Sequence, residues 1–128
     1  MFPRRLVLIH LPGSMLWHVA RPFEIRSNRY DRVFVVPRGF QTDLASVPQI
    51  LWSKYPPCGH YVEGAVGHDY LYSLGGTEAD REQADGIFLE AMEELGVSEA
   101  DRVAIWSAVR LFGGSHFKNR GSHTDCNE

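Results

Sequence analysis

The second half of this chain is punctuated as three helices, and that constrains its fold more than any other feature. Gly75-Gly76 is followed by Thr77 with Asp80, a capping-box pair whose hydroxyl takes an orphan amide while the acid reaches back. Ser98 with Asp101 repeats the signal just after Gly96, and Gly113-Gly114 closes the series. Between these marks Ala84, Ile87, Phe88, Ala91, Met92 and Leu95 recur at helical spacing. The pattern predicts one helix over Tyr61 to Leu74, a second between Thr77 and Gly96, and a third over Glu99 to Phe112. The third is apolar on most sides through Val103, Ile105, Trp106, Val109 and Leu111, so it is expected to be the most buried.

The first half has a different period. Phe23 to Arg26 and Val33 to Val36 flank Ser27-Asn28-Arg29-Tyr30-Asp31, a cluster with turn chemistry, and together they predict a hairpin. Leu6 to Ile9 and Leu16 to Val19 add strands, and Pro37-Arg38-Gly39 ends the sheet. Phe40 to Gly59 reads as neither strand nor long helix, and a long irregular connection in a small domain is more often functional than accidental. The expected fold class is therefore α+β: a small antiparallel sheet followed by three helices. One domain over residues 1–114 and a polar, loosely ordered tail over 115–128 fit a chain of 128 residues.

Several classes are disfavoured. A formal net charge of −3 gives no overall field to attract nucleic acid, and Lys118 with Arg120 in the tail is an ordinary solvated pair. Arg4-Arg5 before Leu6 to Ile9 is too short for a secretion signal, and Pro12-Gly13 breaks it. The longest apolar runs fall far below the roughly 20 residues of a membrane span. Cys58 and Cys126 form no disulfide framework and are read as reduced thiols.

Chemistry concentrates in Gly67-His68-Asp69-Tyr70-Leu71-Tyr72. On a helix His68 and Tyr72 share a face, while Asp69 points about a quarter-turn aside. An antiparallel second helix would carry Asp85 back past His68. A carboxylate on one imidazole nitrogen fixes the tautomer and leaves the other as a base, so His68 and Asp85 form a candidate dyad for activating water against an ester or amide. Asp69 is a candidate ligand for a hard divalent cation, with Ca²⁺ the natural choice and carbonyls of Tyr55 to His60 completing the site. Zn²⁺ is the alternative, recruited by His60 with Asp69 or Asp85. Asp43 is either a second metal ligand or an Asx-turn acceptor fixing Ala45-Ser46-Val47-Pro48. Ser46 lacks the flanking glycines of a nucleophile elbow. Each acid also has a plainer use: His68-Asp69 as a polar cross-link between helices, and Asp85 as the partner of Arg81 one turn earlier.

Ala65-Val66-Gly67-His68-Asp69-Tyr70-Leu71-Tyr72 followed by Ala84-Asp85-Gly86-Ile87-Phe88 resembles the centre of phospholipase A2 domains, especially the parvoviral type. The resemblance implies that His68 is the base, Asp69 binds calcium, Asp85 holds His68 and Tyr72 supports the network. Before that helix Tyr55-Pro56-Pro57-Cys58-Gly59 carries one glycine where that family has a glycine-rich loop. A longer string, from Val36-Pro37-Arg38-Gly39-Phe40-Gln41-Thr42-Asp43-Leu44-Ala45-Ser46-Val47-Pro48 through Trp52, His68-Asp69, Arg81, Ala84-Asp85 and Val109-Arg110, is similar to a family of unknown function common in tailed bacteriophages and prophages. It implies a phage origin and a place in the host cytoplasm or the virion. The expected function is thus a phage-encoded, metal-assisted hydrolase acting on a phospholipid ester. The alternatives are a zinc-dependent cell-wall amide hydrolase and a non-enzymatic phage protein that contacts other virion components.

Overall fold

A computed structural model describes residues 1–43 and 61–117. The chain runs through β1 (Leu8–His10), β2 (Trp17–Val19), β3 (Phe23–Ser27), β4 (Arg32–Val36) and β5 (Gln41–Thr42), then α1 (Val62–Leu74), α2 (Glu78–Glu94) and α3 (Glu99–Phe112). The fold is α+β, with antiparallel strands first and helices after.

The strands form two sheets instead of one. β3 and β4 pair as the expected hairpin, with Phe23 opposite Val36 and Ile25 opposite Phe34. Phe23, Ile25, Phe34 and Val36 are buried while Val33 and Val35 are exposed, so the period of two along each strand puts one face of the hairpin against the helices. The other sheet has the order β1-β2-β5. Its third strand is Gln41–Thr42, which pairs with β2 inside the stretch expected to be irregular. Two residues are too few to show an alternating pattern, and their place comes from the ladder with Trp17 and His18.

The turn between β3 and β4 is fastened from below. The Glu90 carboxylate accepts from Ser27 Oγ at 2.6 Å and from the backbone N–H groups of Asn28 at 3.0 Å and Arg29 at 3.2 Å. Asp31 completes the reversal at φ 49°, a left-handed conformation that Asp tolerates better than most residues. Hairpin and α2 are thereby one unit.

The helices begin and end where their signals stand. Thr77 and Asp80 make the reciprocal capping box, and Ser98 accepts from the Asp101 amide. Beyond α2 the Val97 N–H donates to Met92 O at 3.0 Å across Gly96 at φ 86°, a Schellman closure. α2 is the middle helix, packed on α1 and on α3. That placement corrects the expectation for α3. It buries only Ile105, Ala108 and Val109, while Val103, Leu111 and Phe112 are exposed. Among the described residues α3 packs chiefly on α2, and an apolar surround in the sequence does not by itself bury a helix. After α3 a short 3-10 helix, Gly113–His116, leads to Phe117, whose ring meets Tyr72 edge-on. None of the described helices is long and apolar enough to cross a membrane.

The close approach of α1 to α2 depends on Gly64. A methyl group added there would stand 3.0 Å from Ala91 Cβ and 3.1 Å from the Phe88 ring. Ala91 is fixed to its backbone and Phe88 is buried, so neither yields. Gly64→Ala is expected to lose about 1–3 kcal/mol to overpacking, against roughly 1 kcal/mol of helix propensity gained. Thermal melts of the two proteins check this. A Tm clearly above that of the parent would mean the helices part without cost.

Candidate functional site

α1 presents His68 and Tyr72 one turn apart toward α2, with ring centroids 4.1 Å apart. The His68 ring also meets Phe88, with centroids 4.9 Å apart. Between the helices lies Asp85, wholly removed from solvent at 0% exposure. Its Oδ1 is 2.6 Å from His68 Nε2 and accepts from the Tyr72 hydroxyl at 2.7 Å. The structure therefore brings together His68, Tyr72 and Asp85.

It also supplies residues that the sequence did not single out. Arg110, in the last turn of α3, donates from Nη1 to Asp85 Oδ2 at 2.6 Å and from Nη2 to Glu78 Oε2 at 2.9 Å. Arg81 does not take Asp85 as an intrahelical partner. Its Nε donates to the Tyr72 hydroxyl at 3.1 Å, and its Nη2 donates to the carbonyls of Arg110 at 2.9 Å and Val109 at 3.2 Å. The i, i+4 pairing is a surface geometry, whereas Arg81 and Asp85 are both turned inward. The one sequence signal for Arg110 is its position beside Val109 on the buried stripe with Ile105 and Ala108, where a charge needs a partner.

The electrostatics follow from these contacts. Burial is the largest influence on Asp85 and pushes its carboxyl up, but hydrogen bonds from His68, Tyr72 and Arg110 together outweigh it and hold the group below its usual range. Burial, and then the Asp85 carboxylate, push the Tyr72 phenol far above its ordinary value and keep it protonated. Asp85 and Glu78 raise Arg110. An ionised carboxylate only accepts, so the proton in the contact with His68 belongs to Nε2. In the neutral ring the lone pair is then on Nδ1.

The expected metal ligands Asp69 and Asp43 stand on different elements. Asp69 is half-buried on α1, and Asp43 is exposed just beyond β5. Among the described residues no group of three or more His, Cys, Asp or Glu side chains could hold a metal ion. His60, Ser46 and the carbonyls of Tyr55 to His60, offered above as parts of such sites, lie outside the described residues.

A family model described as a protein of unknown function (DUF1353) matches residues 17–109, from β2 almost to the end of α3. No curated protein and no solved structure matches the chain.

The buried carboxylate sets an acid limit on stability. Because the folded value of Asp85 is lowered from 3.8, its stabilising contribution is fully present above about pH 4 and is lost as pH falls through the folded value. Asp85→Asn is expected to cost about 3 kcal/mol or more at neutral pH, since it leaves donors without their charged acceptor. The stability gap between parent and variant should then start to narrow below about pH 4 and keep narrowing as pH falls through the folded value. Urea unfolding at a series of pH values measures it, and a gap constant with pH would show that Asp85 is not a paired carboxylate.

Proposed function

We propose that this chain, which belongs to the DUF1353 family of proteins of unknown function, is a hydrolase of the phospholipase A2 type whose general base is His68. The observation that carries the reading is the His68 Nε2 contact with a buried, acceptor-only carboxylate at 2.6 Å. It assigns the basic lone pair to Nδ1, the nitrogen facing away from Asp85.

In the proposed reaction Nδ1 takes a proton from water as the water oxygen bonds to an ester carbonyl carbon. The imidazolium is stabilised across Nε2 by Asp85. When the tetrahedral intermediate collapses, the C–O bond to the alcohol breaks and His68 returns the proton to the departing oxygen. Tyr72 keeps its proton at ordinary pH, because its phenol is held far above its usual range, and its part is to anchor Asp85. No step is assigned to a cation. A zinc-dependent amide hydrolase would need ligands from outside the described residues. The phage origin, and action in the host cytoplasm or virion, rest on the resemblance of the Gly39 to Pro48 string and its companions.

A second reading has its own observation. His68 is only 3% exposed and Asp85 is 0% exposed, which suits a polar lock between helices in a non-enzymatic phage protein. The two readings part on His68→Ala, which leaves Asp85 with both Tyr72 and Arg110. Under the catalytic reading, hydrolysis of phospholipid vesicles or a soluble ester falls by about 10²–10⁴-fold while the Tm stays near that of the parent. Assays with Ca²⁺ or Zn²⁺ supplied cover the metal-assisted variants. A parent protein with no turnover under any of these conditions, and a variant whose main defect is a lowered Tm, would leave the lock as the function.

A further inference from the structure

We propose that Arg110 is a positioning residue: by occupying Oδ2 of Asp85 it reserves Oδ1 for His68 and Tyr72, and so fixes the direction and tautomer of the imidazole. The inference rests on the reading of His68 as the base and adds a control on that base from α3.

A carboxylate has two oxygens, each able to accept more than one hydrogen bond, and it can swing about its Cβ–Cγ bond. In Asp85 the two are divided. Oδ1 receives the two α1 side chains, and Oδ2 receives the guanidinium. Loss of the guanidinium would open Oδ2 to either α1 donor, and a swing of the carboxylate would withdraw the acceptor that selects Nε2–H. The groups around Asp85 are His68 and Tyr72 from α1, Arg110 from α3, and within α2 Arg81 acting through Tyr72.

Arg110 is itself held at both ends. Its Nη2 donates to Glu78, and its backbone carbonyl accepts from Arg81, which also donates to Tyr72. The contacts close a circuit: Asp85 to Tyr72, Tyr72 to Arg81, Arg81 to the Arg110 backbone, and the Arg110 side chain back to Asp85. A circuit that spans three helices resists rotation of any one member, because each shift must break a second contact. Arg110 retains 24% side-chain exposure, so its place can be reached from solvent once the side chain is removed.

The test uses the full chain with isotope-labelled histidine. In the parent protein the ring nitrogen shifts of His68 are expected to report a single Nε2–H tautomer. In Arg110→Ala they should move to a tautomer mixture, and guanidinium ion at sub-denaturing millimolar concentration should restore the parent pattern. Arg102→Ala serves as a control, because Arg102 bonds Glu93 and the Val97 carbonyl at the other end of α3, and it should leave the pattern unchanged. With an active parent, kcat should fall about tenfold to a hundredfold with KM unchanged, the scale expected for a misdirected base. Unchanged His68 shifts in folded Arg110→Ala overturn the proposal, whether or not kcat falls. Altered shifts rescued by guanidinium in a protein that hydrolyses nothing uphold the positioning and remove the hydrolase. Should Arg110→Ala fail to fold, the parent decides: separately resolved, slowly exchanging guanidinium N–H signals for Arg110 support the contact with Asp85, and fully averaged signals overturn it.

Discussion

A carboxylate buried to zero exposure dictates much of how this small domain is assembled. Taking an ion out of water costs several kcal/mol even after relaxation, and Asp85 has no solvent to offset it. Its partners must therefore arrive from elsewhere in the chain with good geometry. α1 supplies His68 and Tyr72, and α3 supplies Arg110. Each helix has to be placed so that a donor reaches one of two oxygens, which ties the packing of all three helices to a single side chain. Apolar residues in place of both Asp85 and Arg110 would need none of this, and such whole-pair replacements are often as stable or more so.

α2 repeats the device on a different side. Glu90 is five residues beyond Asp85, well over a quarter-turn around the helix, and its carboxylate gathers the hydroxyl and amides of the β3–β4 turn. One acid draws α1 and α3 together, and the other draws in the hairpin. Between them α2 serves as the axis on which helices and hairpin are mounted. Small residues let the mounting be close: Gly64 sits against Ala91 and Phe88, and Gly67 leaves room for Ile25 of β3. Polar ties set the register of the parts, and the apolar contacts of Phe23, Ile25, Val66, Phe88 and Met92 fill what lies between.

The features that the sequence made legible are local ones. Helix starts at Thr77 and Ser98 and the stop at Gly96 follow from capping chemistry within a few residues, and the hairpin follows from alternation around a turn. The shared face of His68 and Tyr72 follows from helical geometry, and the facing Asp85 from the assumption of an antiparallel return. Non-local facts were hidden. Whether α3 is covered on one side or two depends on where α1 and the hairpin lie, so its apolar residues misled. The division into two sheets depends on β2 choosing Gln41–Thr42 as a neighbour. The pairing of Arg110 with Asp85 was hidden because the two are 25 residues apart on different helices. The plainer pairing of Asp85 with Arg81 one turn earlier gives way to the pairing with His68, because Arg81 reaches Tyr72 and the end of α3 instead.

The circuit also bears on why His68 is there. For a lock alone, Asp85 is already satisfied by Tyr72 on one oxygen and Arg110 on the other, with the charge of Arg110 balancing its own. Glu78 and Arg81 complete a neutral set of two acids and two guanidinium groups. The imidazole adds a third donor to a carboxylate that does not require it, and buries a polar ring against Phe88 to do so. Removing it would leave the Asp85 charge paired with Arg110, whereas removing Arg110 or Asp85 would strand one. The donor that the Asp85 charge does not require is also the side chain best suited to moving a proton. On the proposed catalytic reading, the contact with Asp85 serves the second nitrogen of that ring.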